Sequence, residues 1–365
     1  MPRFTPLVAS LPSTVPFVGP ETQERARGAV FAARLGANEN VFGPSPKAVE
    51  AMQKAIPDIW KYGDPENHDL KHALAAHHRV AVENIVVGAG IDGLLGSLTR
   101  MLVEHDTPVV TSKGAYPTFN FHVAGYGGAL EFVPFRQDME DPDALLAKAS
   151  KIDASLIYFA NPDNPMGTWH GADMVQEMID NIPTGTVLCL DEAYVEFAPA
   201  GTAPELDVSN PNVIRMRTFS KAYGMAGARV GYAIGHADLI SAFNKVRNHF
   251  GMNRAAQAGA LAALADQEYL AKTIKNVTGA KARIGDIARW NGLEPLPSAT
   301  NFVTMDCGRD GDYARALVGA LIARDIFVRM PFVAPQDRCI RVSAGRPEDM
   351  DLFEAALPEA LKAIA

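Results

Sequence analysis

Apolar residues along this chain come in short dense runs separated by amphipathic stretches. The runs Leu156-Ile157-Tyr158-Phe159, Thr186-Val187-Leu188-Cys189-Leu190 and Val213-Ile214-Arg215-Met216-Arg217 are too short for helices and are rich in β-branched and aromatic side chains. They read as strands, and further strands are expected over 84–87, 108–111, 130–135 and 229–234. Between them the period lengthens to that of helices. From Ser45 a helix should begin, with Ser45 as cap, Pro46 at its first position and Val49, Met52 and Ile56 on one face. Another runs through Asp69 to His78. Continuous apolar strands alternating with helices predict an α/β fold: a large domain with a mostly parallel central sheet flanked by helices.

After about Gly251 the pattern changes. An alanine-rich helix over 255–264 and a long helix through Trp290 lead into strands at 301–305, 326–328 and 339–343, with a last helix from Pro347. This reads as a smaller α+β domain. The expected division is an N-terminal arm and part of the small domain over 1–45, a large domain over 46–250 and a small C-terminal domain over 251–365. Residues up to Gly28 are proline-rich and aperiodic, and Leu11, Val15, Phe17 and Val18 need cover. An extended arm is expected there, packed on a partner subunit or on its own domain.

Composition narrows the classes. The chain has 365 residues, 48% hydrophobic and 21% charged, with a net charge of −8, so it carries no electrostatic footprint for nucleic acid. Neither a signal peptide nor an apolar membrane-spanning stretch is apparent. Three scattered cysteines lack the spacing of a metal site or disulfide framework. A cytoplasmic location is the expectation. His68 and His72 have metal-ligand spacing on one helix but lack a third ligand, so a solvated face is the reading and no metal is expected.

The chemistry concentrates in Thr218-Phe219-Ser220-Lys221-Ala222-Tyr223-Gly224-Met225-Ala226-Gly227-Ala228-Arg229. A lysine amine kept neutral in a pocket can condense with an aldehyde. The hydroxyls and arginine beside it suit a phosphate. An aldehyde and a phosphate on one small molecule point to pyridoxal phosphate. Asn161, the pair Asp191 and Tyr194, and Lys221 each follow one of the apolar runs, so all should meet where parallel strands end. An aspartate there can hold a proton on a pyridine nitrogen. Taken singly, Lys221 reads as a surface lysine and Asp191-Glu192 as a turn. Together they do not. Gly88-Ala89-Gly90-Ile91-Asp92-Gly93, after a strand and opening a helix, offers N–H groups to an anion.

With these residues in view, the chain from about Leu35 onward resembles fold-type I pyridoxal-phosphate aminotransferases, and within them the histidinol-phosphate subgroup. Ala37-Asn38-Glu39-Asn40-Val41-Phe42-Gly43-Pro44-Ser45-Pro46 is similar to A-N-E-N-P-x-G-P-S-P. Tyr62-Gly63-Asp64-Pro65 is similar to Y-P-D-P, the lysine segment to S-K-A-x-G-L-A-G-x-R, and Ile340-Arg341-Val342-Ser343 to I-R-[IV]-[ST]. The resemblance implies that Lys221 bonds the cofactor aldehyde and moves the substrate proton. It implies that Asp191 pairs with the pyridine nitrogen, Asn161 and Tyr194 with the ring oxygen, and that Phe119 stacks on the ring. The phosphate falls to Thr218, Ser220, Arg229, the backbone of Gly90, Ile91 and Asp92, and Tyr62 of a second subunit in a homodimer. Arg341 and Arg329 are implied substrate arginines, with Asn38 beside them. By residue type alone, Phe119 reads as core, Tyr62 as an exposed aromatic and Asn38 as a turn former. Ile91, Gly93, Val41, Gly63 and His249 depart from the subgroup pattern. The expected reaction is transfer of an amino group from an amino acid donor such as glutamate to a 2-oxo acid or ketone. Decarboxylation or racemisation of an amino acid on the same cofactor is the alternative, and a non-catalytic cofactor-binding protein is the remaining one.

Overall fold

The computed structural model describes residues 2–13 and 18–365. In chain order its strands are β1 (Ala33–Arg34), β2 (Ile85–Gly88), β3 (Pro108–Ser112), β4 (Ala129–Val133), β5 (Leu156–Ala160), β6 (Val187–Asp191), β7 (Val213–Thr218), β8 (Gly231–Gly235), β9 (Glu294–Pro295), β10 (Phe302–Asp306), β11 (Ile326–Phe327) and β12 (Cys339–Ser343). Seven of them form the main sheet in the order β2-β8-β7-β6-β5-β3-β4. All neighbours are parallel except β8, which runs antiparallel to both β2 and β7. Every residue of β5, β6 and β8 is buried, as expected of strands covered by helices on both faces.

This order is what creates the site. β5, β6 and β7 are adjacent and parallel, with Ala160 level with Asp191 and Asp191 level with Met216. Their carboxyl ends therefore open side by side, where ligands collect in such sheets. Helix starts are written locally: Ser45 Oγ accepts from the Ala48 amide at 3.1 Å with Pro46 at the first turn, and Asn253 Oδ1 caps the helix Arg254–Ala265 through the Ala256 amide at 2.8 Å.

A second core is built on the antiparallel sheet β12-β10-β9 and packs Leu35, Val303, Leu317, Ile340 and Phe353 together. β1 pairs with β11, so the segment before the large sheet belongs structurally to this smaller unit. The long helix Gln267–Trp290 serves both cores: Leu270 and Val277 lie in the core beside the lysine loop, Ile284 and Ile287 in the smaller one. The helix Arg254–Ala265 packs on Pro46–Ala55. Among the described residues no helix is long and apolar enough to cross a membrane.

The N-terminal arm differs from the expectation. Instead of an extended strap it forms two short helices, Pro6–Ser10 and Pro20–Arg27. Each starts on a proline, which suits a first turn that needs no N–H partner. The second closes on Gly28 in the left-handed region, φ 71°. Arg34 ties it down by bonding Glu24 at 2.5 and 3.0 Å. Leu11 is half-buried and Val18 exposed; Val15 and Phe17 lie outside the described residues.

Candidate active site

A cleft of about 400 Å³ lies over the carboxyl ends of β5–β7 and is closed on its far side by β12 and the segment 36–39. One end of it, open to solvent at Asp92 and Arg229, gathers groups suited to an anion. The helix Gly90–Leu102 points its first amides there, and Ile91 and Asp92 line the cleft. Gly90, at φ +75°, passes so close to the Arg229 guanidinium that a Cβ would collide with it, and a Cβ on Gly231 would lie 2.6 Å from the Ile91 amide nitrogen. Only glycines let the arginine and the helix start come together. Arg229 Nη1 bonds Ser220 Oγ at 3.3 Å, and the Thr218 hydroxyl accepts the Ser220 amide at 3.0 Å. Thr218, Ser220 and Arg229 all line the cleft.

The floor carries Asp191, 5% exposed at the end of β6. Its Oδ2 accepts the Tyr158 hydroxyl at 2.7 Å and its Oδ1 the Ala193 amide at 2.9 Å. Burial pushes its carboxyl up to about 6 and the Tyr158 hydrogen bond works against that rise. Glu192, next in sequence, faces the other way. Burial would raise it, but Arg217 and Arg215 prevail and hold it below the usual carboxylate range, with Glu192 bonded to Arg215 Nη2 at 2.5 Å and Arg217 Nε at 2.8 Å. One acid is left for the cleft and the other for the frame.

Lys221 follows β7 and is reached by the segment after β1. Its amine donates to the Asn38 carbonyl at 3.0 Å. Burial, reinforced by the Arg341 charge, pushes it down to about 8. Asn38 sits in the left-handed region, φ 54°, and bridges the two halves: its Nδ2 donates to the Tyr194 hydroxyl at 3.1 Å while its Oδ1 accepts the Ser343 hydroxyl at 3.2 Å. Asn40 Nδ2 donates to the Lys221 and Ala222 carbonyls at 3.0 and 3.2 Å, which fixes the lysine loop. Both asparagines are therefore more than turn formers.

The opposite wall presents Arg341 and Arg329, paired across the backbone with Arg341 N donating to Arg329 O at 2.6 Å. Burial pushes Arg341 down to about 10. Its Nη1 donates to Asn164 Oδ1 at 2.5 Å, its guanidinium lies 5.0 Å from the Phe302 ring, and its Nε is buried without a partner. Among the described residues no carboxylate makes an ion pair with it. Arg329 Nη2 donates to the Val18 carbonyl at 2.6 Å.

Two expected positions need correction. Asn161 does not line the cleft. Its side chain closes the loop behind it, with Oδ1 accepting the His170 amide at 2.8 Å and Nδ2 donating to His170 O and Thr202 O at 3.1 and 3.3 Å. Asn164, three residues on, lines the cleft instead. Phe119 is fully buried in the core, stacked on Tyr158 with ring centroids 4.6 Å apart, because it shares the inner face of the helix Pro117–Gly125 with Val123. Tyr116, the cap residue just ahead of that helix, faces the cleft, as does Thr118. Sequence reading also missed Tyr158. Tyr62 is highly exposed, packs at a tilt against Phe250 and does not line its own chain's cleft.

Comparison with known proteins bears on this geometry. The model of the family described as aminotransferase class I and II matches residues 33–357. The chain belongs to that family. It is 34% identical over 331 residues to histidinol-phosphate aminotransferase 2 of Pseudomonas aeruginosa, covering 90% of this chain and 89% of that one. It is 32% identical to the histidinol-phosphate aminotransferase of Moorella thermoacetica, covering 99% and 94%. A crystal structure of histidinol-phosphate aminotransferase from Sinorhizobium meliloti in complex with pyridoxal-5'-phosphate superposes with a TM-score of 0.97 at 53% identity, over 100% of this chain and 99% of that chain. The class I/II fold of the family is thus the fold of this chain, with the mostly parallel sheet expected from its pattern.

Proposed function

We propose that this aminotransferase uses pyridoxal phosphate to move an amino group from an amino acid donor, glutamate, to a phosphorylated or aromatic ketone of the histidinol-phosphate type. The residues fit the cofactor. A helix start, two hydroxyls and Arg229 make a cup for a phosphate, Asp191 makes a floor for a pyridine nitrogen, and Lys221 is a half-buried amine within the same cleft. The observation that carries the reading is the convergence of Lys221, Asp191 and the Arg229 cup in one cavity whose remaining wall holds a buried, unpaired arginine nitrogen.

When bound, the cofactor supplies an electron sink and a carrier for the amino group. The protein supplies the rest. Lys221, depressed to about 8, has both its neutral and charged forms within reach near neutral pH and so can take or give a proton at the substrate's α-carbon. Asn38 holds that amine through its carbonyl. Asp191, when ionised, would hold a proton on the ring nitrogen of a bound cofactor. Tyr194, whose hydroxyl already accepts from Asn38, has its own hydrogen free to donate to the ring oxygen, and Asn164 offers its amide hydrogens beside it. Arg341 meets the substrate carboxylate with Nε and Nη atoms, a fork that matches two oxygens. Arg329 serves a distal anion. Tyr116 takes the ring-facing place expected of Phe119.

A homodimer belongs to this proposal. Ile59, Trp60, Tyr62 and Phe250 are exposed together with apolar surface that a second copy would cover, and Tyr62 can then reach the partner's cup. A large domain over 46–250 with a smaller one over 251–365 that takes in part of 1–45, and a reducing cytoplasmic setting that leaves the buried thiols of Cys189, Cys307 and Cys339 unpaired, also belong to it.

The test is a half-reaction. Glutamate added to the loaded enzyme should convert the cofactor to its amine form without carbon dioxide release, and imidazole-acetol phosphate should return it. Release of carbon dioxide, or loss of optical activity with no cofactor change, would replace transamination by decarboxylation or racemisation.

A further inference from the structure

We propose that Tyr158 is a positioning residue for Asp191: its buried hydroxyl fixes the carboxylate's orientation and keeps it in the charged form that a protonated ring nitrogen requires. The proposal rests on the reading of Asp191 as the partner of that nitrogen.

Tyr158 lies on β5, one strand over from Asp191, and is completely buried although its edge lines the cleft. The 2.7 Å contact from its hydroxyl to Asp191 Oδ2 is short, as hydrogen bonds to carboxylates are. The Ala193 amide occupies the other oxygen. Each oxygen thus has one internal donor, so the carboxylate cannot rotate without breaking a bond to a buried group. The ring that carries the hydroxyl is itself held, since Phe119 stacks on it at an interplanar angle of 17°. The aromatic that sequence assigns to the cofactor is spent here on the residue behind the cofactor's acid.

Charge acts in the same direction. A carboxylate this deeply buried tends to take up its own proton, and a neutral acid cannot hold a cation above it. Burial raises Asp191 and Glu192 adds to the rise, whereas the Tyr158 and Ala193 hydrogen bonds and the Lys221 charge oppose it. Tyr194, Tyr116, Cys189 and Glu140 also lie near the pair, and each interacts unfavourably with further negative charge there. Tyr158 is the one side chain that hydrogen-bonds the carboxylate directly, among the described residues.

The experiment compares two ligands on two proteins. Apoprotein and its Tyr158→Phe variant are titrated with pyridoxal phosphate and with the analogue carrying C–H in place of the ring nitrogen. The wild type should favour the natural cofactor over the analogue. Tyr158→Phe should weaken the natural cofactor about tenfold, the size of one charge-assisted hydrogen bond, while changing the analogue less than about twofold. Equal weakening of both ligands would make Tyr158 a merely structural residue and overturn the proposal, as would no weakening of either. A wild type that binds both ligands alike would instead overturn the role given to Asp191. Should Tyr158→Phe not fold, Phe119→Leu keeps the hydroxyl and loosens its ring. It should show the same selective loss at about two- to threefold, and an unselective loss there would equally overturn the proposal.

Discussion

The two walls of the cleft are built on opposite terms. On the sheet side, polar groups are answered from within the chain: Asp191 has two donors, Arg229 bonds Ser220, Lys221 bonds Asn38, and Glu192 is clasped by two arginines. On the small-unit side, Arg341 has one polar partner, Asn164, and a buried nitrogen with none. Burying a charge without a partner costs several kcal/mol. A wall that bears this cost is kept for an anion that comes and goes, whereas a satisfied wall is kept for a resident. On the proposed function, the sheet side would receive the cofactor and the arginine side the substrate.

Removing the reactive amine should break both sides' purpose at once. Lys221→Ala is expected to lower turnover by about 10⁴-fold, the upper range for a lost acid–base group, while the chain still folds and binds the cofactor's phosphate. Steady-state rates and equilibrium dialysis measure the two effects. The walls separate in the next pair. Arg341→Lys should cut kcat/KM by about 100-fold with cofactor affinity unchanged, since a point charge replaces a fork. Arg229→Ala should do the reverse, weakening the cofactor by about 100-fold, and equal effects of both variants on both ligands would erase the distinction.

A subtler contrast lies in the segment Asn161-Pro162-Asp163-Asn164. Asn164→Ala should lower kcat/KM by about tenfold, because it frees Arg341 and removes a donor near the ring. Asn161→Ala should leave kinetics within about twofold and cost about 1–2 kcal/mol of stability through its lost loop bonds, seen as a lower Tm. Their order in a thermal melt and in a rate assay should be opposite.

The smallest effect is in pH. With Lys221 depressed to about 8, the neutral amine is about 9% of the total at pH 7 and half at pH 8. Cofactor uptake by the apoprotein should therefore quicken about fivefold between those pH values and level off above about pH 9. An ordinary lysine would keep gaining about tenfold per pH unit to pH 10.

How much of this was legible follows from what each residue answers to. The strands, the helix starts and the lysine loop were readable because local rules write them: dense apolar runs, Ser45 with Pro46, and hydroxyls around one lysine. Asp191 was readable because it ends a buried strand. The sequence reading settles on Asn161 because it is the first asparagine after the strand, and only its His170 contacts show that it turns away while Asn164 faces the cleft. Phe119 and Tyr116 were exchanged because the cleft sees the residue ahead of the helix, and where that helix turns is set by tertiary packing. Tyr158 looked like one more apolar strand residue, since its partner lies one strand away. The two arm helices were hidden by prolines that read as breakers but stand at first turns.

The central claim is that one half-buried amine, Lys221, holds the cofactor's aldehyde. Borohydride reduction of the loaded enzyme followed by peptide mass mapping tests it directly. The account predicts a single pyridoxyl-phosphate label on Lys221, and a label on any other lysine, or none, would contradict it.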